Sequence, residues 1–115
     1  MEQREYPRYA TGKNVVIKMT PQIGIIGCDY HHLVRAFGQP TFSADAGDEF
    51  DGIEKVAWHI EFETGERVRV CDVRPFGMDD SINKTKEWRI NTLSQNAYEW
   101  IKQIIRDSNP NVMGA

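Results

Sequence analysis

Six side chains in this chain of 115 residues are of types that hold phosphates or nucleobases and recur at alternate positions: Lys55 and His59, Arg67 and Arg69, Arg89 and Asn91. Guanidinium groups offer planar bidentate donors to phosphate, and lysine offers a compact positive charge. Alternate residues of a β-strand share one face, so these six define a cation-rich face if their segments are strands. The competing reading is a solvated face on which Glu61, Glu66 and Glu87 pair with the cations. Arg74, Lys84 and Lys86 either extend such a patch or are plain surface charges. Asp72 follows Val68 and Val70 on the opposite, apolar parity. A carboxylate there is costly unless paired. It is a strand end reaching solvent, an ion-pair partner of Arg74, or a ligand contact.

Other chemistries find little support. His31-His32 hints at a metal, but adjacent helical residues point about 100° apart, and no H-E-x-x-H or C-x-x-C spacing accompanies them. No metal site is expected. Cys71 has no histidine at a motif spacing and reads as a packed thiol. Gly24-x-x-Gly27 before a helix is only a fragment of a phosphate loop, and Gly12-Lys13 lacks a Walker context. No cofactor is implied, and with no metal cluster or general-base pair visible the chain does not read as an enzyme.

The elements that position these residues follow from periodicity. Residues 52–62, the turn Glu63-Thr64-Gly65-Glu66 and residues 67–75 read as a β-hairpin, and Glu87 to Thr92 as a third strand. Val56, Trp58, Ile60, Val68, Val70, Trp88 and Ile90 then share an apolar face. Val15-Val16-Ile17 suits an N-terminal edge strand, and Ile23 to Ile26 is a second short apolar run. Tyr30 to Phe37 reads as a two-turn helix, with Asp29 as N-cap and Gly38 and Pro40 ending it. A second helix follows Ser94, with Ala97, Ile101, Ile104 and Ile105 as its buried stripe and Leu93 and Tyr98 as a hydrophobic staple. The fold class is therefore α+β: a small antiparallel sheet packed on one face by two helices. Thr41 to Asp51 is an acidic surface loop, and Pro75 to Lys84 an exposed one. The chain reads as one domain, with residues 1–13 as an arm and 108–115 as a tail.

Composition sets the frame. A net charge of −3 with 27% charged residues gives no global drive toward duplex nucleic acid or anionic membranes. Any anion site must be local. Two distant cysteines and no apolar leader or membrane-length run point to a reduced, intracellular setting.

Several of these features occur together in a recognisable order. A short helix ends in Phe37-Gly38-Gln39-Pro40, and an acidic loop follows. Lys55 precedes a strand with Trp58 that ends F-x-x-G, and the next strand ends Val70-Cys71-Asp72-Val73-Arg74. A Trp88-x-Ile90 strand and an amphipathic helix close the pattern. From about Asp29 to Ile105, the chain resembles a family of small bacteriophage proteins, the viral nucleotide sponges of the anti-CBASS type. The resemblance implies a non-enzymatic homo-oligomer acting in the host cytoplasm, which sequesters a cyclic (oligo)nucleotide signal of bacterial defence. The ligand-binding residues it implies are Lys55, His59, Arg69, Asp72, Arg74, Arg89 and Asn91. The chain departs from the family pattern at Cys71, Val73, Arg89 and Asn91, which bears on ligand identity. The alternative is a phage module that inhibits a host protein through its charged sheet face.

Overall fold

The periodic segments resolve, in chain order, into β1 (Tyr9–Thr11), β2 (Gln22–Gly27), α1 (Tyr30–Phe37), β3 (Phe42–Ser43), a 3-10 turn (Ala44–Ala46), β4 (Val56–Phe62), β5 (Arg67–Asp72), β6 (Glu87–Thr92) and α2 (Gln95–Ser108). The structure, a computed structural model, describes residues 6–18, 20–50, 54–73 and 85–110. The six strands form one antiparallel sheet in the order β1-β4-β5-β6-β2, with β3 pairing β4 off this path. No helix among the described residues is long and apolar enough to cross a membrane.

The hairpin closes as its sequence dictates. Phe62 N–H donates to Glu66 O at 2.9 Å and Gly65 N–H to Phe62 O at 2.8 Å, with Gly65 at φ +96°. That conformation is open to glycine without steric cost. Its register sets His59 opposite Arg69, and β6 sets Asn91 opposite Arg69 on the other side. A row His59–Arg69–Asn91 therefore crosses three strands on one face. On the other face Trp58, Ile60, Val68, Val70, Trp88 and Ile90 are fully buried beneath Leu33 and Phe37 of α1 and Ile101, Ile104 and Ile105 of α2. Each large aliphatic or aromatic side chain so buried stabilises by roughly 1.5–3 kcal/mol. Neither indole loses its donor: Trp58 Nε1–H reaches Gly38 O at 2.9 Å and Trp88 Nε1–H reaches Cys28 O at 2.8 Å.

Both helices begin and end where their caps lie. Ser94 Oγ accepts from Ala97 N–H at 3.1 Å, and Gly38 closes α1 at φ +82°. At the far end of α2, buried Asn109 donates to His32 O and Ile105 O, tying the two helices together.

Several expectations change. Val15-Val16-Ile17 is not a strand. The carbonyls of Val15 and Val16 are taken by His59 and Arg67 side chains, so this run is anchored across the sheet rather than along it. The N-terminal edge strand is instead Tyr9–Thr11, within the stretch expected as an arm. Leu93 is 83% exposed and forms no staple. Tyr98 packs instead over Gly24 of β2, at a point where a Cβ would collide with its ring. Of the expected tail, Ser108 closes α2 and Asn109 is buried, so the segment is docked at its start. The exposed loop expected over 75–84 lies outside the described residues.

Candidate functional site

The outer face of the sheet is not bare. The segment before β2 crosses it, and β3 with the residues after it walls it, so that Ala57 and Cys71 on this face are fully buried. Between these flanks lies a cleft of about 450 Å³ with His59, Arg69, Arg89 and Asn91 as its floor. Phe42, Glu49, Phe50 and Glu54 line it from the segment before β4, and Ile17, Lys18 and Thr20 from the segment before β2. Its volume falls within the usual range of small-molecule sites.

Hydrogen bonds fix the floor. His59 Nδ1 lies 2.9 Å from Val15 O, and a carbonyl only accepts, so Nδ1 carries the proton. Nε2 then presents a lone pair, which accepts from an Arg69 Nη1 at 2.8 Å. Burial, followed by the nearby Arg69 charge, outweighs the Val15 hydrogen bond and holds the His59 pKa below the ordinary histidine value. His59 is thus a neutral prop for Arg69. The Arg69 guanidinium also lies 5.9 Å from the centre of the Phe50 ring, within cation–π reach. No carboxylate among the described residues pairs with it.

Arg89 is engaged differently. Its Nη2 donates to Glu54 Oε1 and to Cys71 Sγ, the latter at 3.3 Å. Burial alone would raise the Glu54 carboxyl, but hydrogen bonds from its own backbone and from Arg89, with the charges of Arg89 and Arg69, hold it below the usual range. Asn91 Nδ2 donates to Thr20 O at 3.1 Å. Two buried atoms here have no hydrogen-bond partner among the described residues: Arg89 Nε and Asn91 Oδ1. Stranding a donor or an acceptor costs about 1–3 kcal/mol. Both belong to residues that line the cleft, and both atoms are closed off from solvent.

The structure therefore gathers four of the expected site residues, His59, Arg69, Arg89 and Asn91, in one place. Lys55 does not border the cleft, and its backbone N–H and C=O are bonded to Asp72 and Ala44. Asp72 is 3% exposed on the core parity, where its Oδ1 accepts from Lys55 N–H at 2.8 Å and Val56 N–H at 3.0 Å. Its carboxylate thus anchors the start of β4. Arg74 lies outside the described residues. Arg67, expected on the same face, pairs with Glu61 at 2.8 Å. Lys86 pairs with Asp29, away from the cleft. Periodicity could not find Lys18, Thr20, Phe42, Glu49 and Phe50, which come from non-repeating segments, and it put Glu54 on the first hairpin strand in step with Val56 and Trp58, whereas β4 begins only at Val56 and Glu54 lines the cleft. The one signal was a pair of phenylalanines in an otherwise acidic, turn-rich loop.

The remaining chemical motifs have structural roles. Gly24 and Gly27 lie within β2, paired to Ile90 and Glu87. Lys13 pairs with Asp48 at 3.1 Å. Burial, followed by the Asp29 charge, pushes the Cys28 thiol up to about 12, and burial likewise raises Cys71, so neither is poised as a thiolate. Asp29, His31 and His32 bring one ligand-capable atom each within 4.8 Å of one another, closer than the offset of adjacent helical residues suggests. Two of the three are already engaged. Asp29 is paired with Lys86, and His32 Nδ1 accepts the Asp29 backbone N–H at 2.9 Å. That bond places the His32 proton on Nε2, leaving no free lone pair for an ion. The cluster caps α1.

Comparison with protein-family models, with curated proteins and with solved structures returned no match.

Proposed function

We propose that the outer-face cleft binds a cyclic (oligo)nucleotide and holds it intact, as the resemblance to phage nucleotide sponges implies. The observation that carries this reading is Arg69: a guanidinium without a carboxylate partner among the described residues, propped by neutral His59 and set against Phe50 in a ligand-sized cleft. Phosphate matches the unengaged side of the guanidinium, and bases match the Phe42 and Phe50 rings. Sequestration rather than turnover is supported by the state of two of the three candidate bases that line the cleft, His59 and Glu54, with Glu49 the third. Both ring nitrogens of His59 are hydrogen-bonded, and Glu54 is paired with Arg89. In this reading the protein is phage-encoded and acts as a homo-oligomer in the host cytoplasm, removing a defence signal by stoichiometric binding.

The test is calorimetry against a panel of cyclic di- and trinucleotides, with mass spectrometry of the ligand recovered after denaturation. Tight binding and unchanged ligand mass are expected. Arg69→Ala loses roughly 10- to 100-fold in affinity, the worth of one charge-assisted contact, while circular dichroism shows the protein still folded. No heat at micromolar concentrations with any member of the panel would sink the proposal. A second reading, inhibition of a host protein, is favoured by Val16 (61% exposed) and Leu93, which border a separate cleft of about 500 Å³. A stable protein partner in a lysate pull-down, with no nucleotide bound, would select it.

A further inference from the structure

We infer that the free edge of β2 is a self-association surface, on which two copies of the chain pair their β2 strands antiparallel about a two-fold axis at Ile25. The surface lies apart from the cleft and stands on the construction of the sheet, whatever the cleft binds.

The two edges of the sheet are built differently. On one side β4 is closed by three-residue β1 and two-residue β3, and strands that short leave little backbone for another chain to pair with. On the other side β2 ends the sheet with six residues, and among the described residues it pairs only with β6. Hydrogen bonds show which backbone groups are left over. Thr92 N–H donates to Pro21 O at 3.1 Å and Cys28 N–H to Lys86 O at 3.0 Å, so β2 is fastened to its neighbour at both ends. Between them Gly24 stands opposite Ile90, and Ile26 opposite Trp88. Alternate residues of a strand turn their N–H and C=O to opposite sides. Cys28, Ile26 and Gly24 therefore face β6, and Ile25 and Gly27 turn theirs outward. Among the described residues no group takes these outward donors and acceptors up.

Little in the strand discourages a partner. Edge strands are commonly blunted by a charge, a proline or a bulge. Gln22 to Gly27 holds no charge and no proline, and its register shift lies between Gln22 and Gly24, which leaves Gly24 to Gly27 regular. Ile25 stands opposite Arg89 on the outer face and is 45% exposed. Of the large apolar side chains exposed among the described residues, Val16, Ile25 and Leu93, only Ile25 lies in a strand. A second copy fits this edge. Antiparallel pairing about a two-fold at Ile25 sets that residue opposite its own counterpart, exchanges both outward hydrogen bonds and covers both exposed side chains. From Ile23 to Gly27 no residue meets a like charge, which self-pairing requires. Such an axis runs normal to the sheet, so both outer faces lie on one side and the two clefts open in the same direction.

The experiment is sedimentation velocity on the full chain from low micromolar to submillimolar concentration. Wild type is expected to pass from monomer to dimer across that range. Ile25→Lys sets like charges opposite each other and moves the transition to roughly tenfold higher concentration or more. Gly27→Pro removes an outward N–H that the ladder with β6 does not use, and has the same effect. Circular dichroism checks that both variants are folded. Ile25→Cys gives a readout that weakens nothing. Opposed Cα atoms in such a pair lie about 5.5 Å apart, within disulfide reach, so mild oxidation links two chains. Leu93→Cys, at a position 83% exposed but away from this edge, does not link them, and the native Cys28 and Cys71 are buried. A wild type that stays monomeric throughout, whatever peptide its edge then accepts, would overturn the inference. So would folded Ile25→Lys and Gly27→Pro proteins that dimerise as wild type does, or a Leu93→Cys protein that links as fast as Ile25→Cys. Nucleotide calorimetry is read separately. A monomer that binds a cyclic nucleotide overturns the edge pairing and spares the cleft, and a dimer linked through Ile25→Cys that binds none supports the pairing and sinks the nucleotide reading.

Discussion

Asp72 offers the sharpest separation of structural from ligand roles. Its Oδ1 accepts two backbone N–H groups, from Lys55 and Val56, at the point where β4 begins. Val56 is buried and Lys55 half-buried. Truncation in Asp72→Ala strands both donors. A buried N–H left without a partner costs about 1–3 kcal/mol, and water recovers part of the loss at the half-exposed one, so the expected total is about 2–4 kcal/mol. That is a large fraction of the stability of a small domain. Asp72→Asn keeps an acceptor oxygen in place for both donors and should cost about 1 kcal/mol, the difference between charged and neutral acceptors. The assay is urea unfolding at pH 7.5, with wild type most stable, Asp72→Asn next and Asp72→Ala last, at unchanged slope. Ligand affinity of the folded Asp72→Ala protein should stay within about threefold of wild type, because the carboxylate lies on the core parity. An Asp72→Ala protein within about 0.5 kcal/mol of wild type, or one that keeps its stability and loses ligand, would refute this reasoning.

Two further outcomes follow from the structure. Burial holds the pKa values of His59 and His32 below the ordinary histidine value, opposed at His59 by the Val15 hydrogen bond and helped by the Arg69 charge, and helped at His32 by the His31 charge; the unfolded chain therefore takes up protons at a higher pH than the folded one, stability is full above about pH 7, and it falls as pH drops through roughly 6.5 and below. The urea midpoint should be lower at pH 5.5 than at pH 7.5, and an equal or higher midpoint at 5.5 would contradict the neutral assignment. Gly24→Ala drives a methyl into the Tyr98 ring and should destabilise by about 1–3 kcal/mol; adding Tyr98→Ala should make the second substitution cheaper than it is alone, and strict additivity in that double-mutant cycle would refute the contact.

What the sequence disclosed depended on whether an element carries its own signal. The hairpin and β6 alternate strictly, so the split between the Trp58–Ile60–Val70 face and the His59–Arg69–Asn91 face followed from parity alone. The first helix is bracketed by Asp29, Gly38 and Pro40, and Ser94 opens the second. β1 and β3 are three and two residues long and leave no periodic trace. They exist because the edge of β4 offers backbone groups, which is tertiary information. Val15-Val16-Ile17 misled for the same reason: β-branched residues fit a strand, but its carbonyls meet the side chains of His59 and Arg67. The cleft was half legible. Its floor is periodic, whereas its walls come from two loops, one held by those same carbonyl contacts and the other by the pairing of β3 with β4.

The two faces of the sheet treat polar groups differently, and this bears on function more than any single residue does. On the core face the indole donors reach carbonyls, Asp72 takes two backbone N–H groups, and Thr92 Oγ1 donates to Arg67 O. Folding alone accounts for such pairing, since an unmatched group there would destabilise the domain. Thr85 Oγ1 and Asn109 Oδ1 also have no partner among the described residues, and neither residue lines the cleft. In the cleft the Arg69 guanidinium has no ion pair among the described residues, while the groups beside it are tightly engaged: His59 on both nitrogens, Glu54 with Arg89, Asn91 Nδ2 with Thr20. A merely loose surface would relax all of these together. Rigid support around a guanidinium without an ion pair is the arrangement that a preorganised site requires, because the cost of orienting the groups is met in the folding of the sheet rather than at the moment of binding.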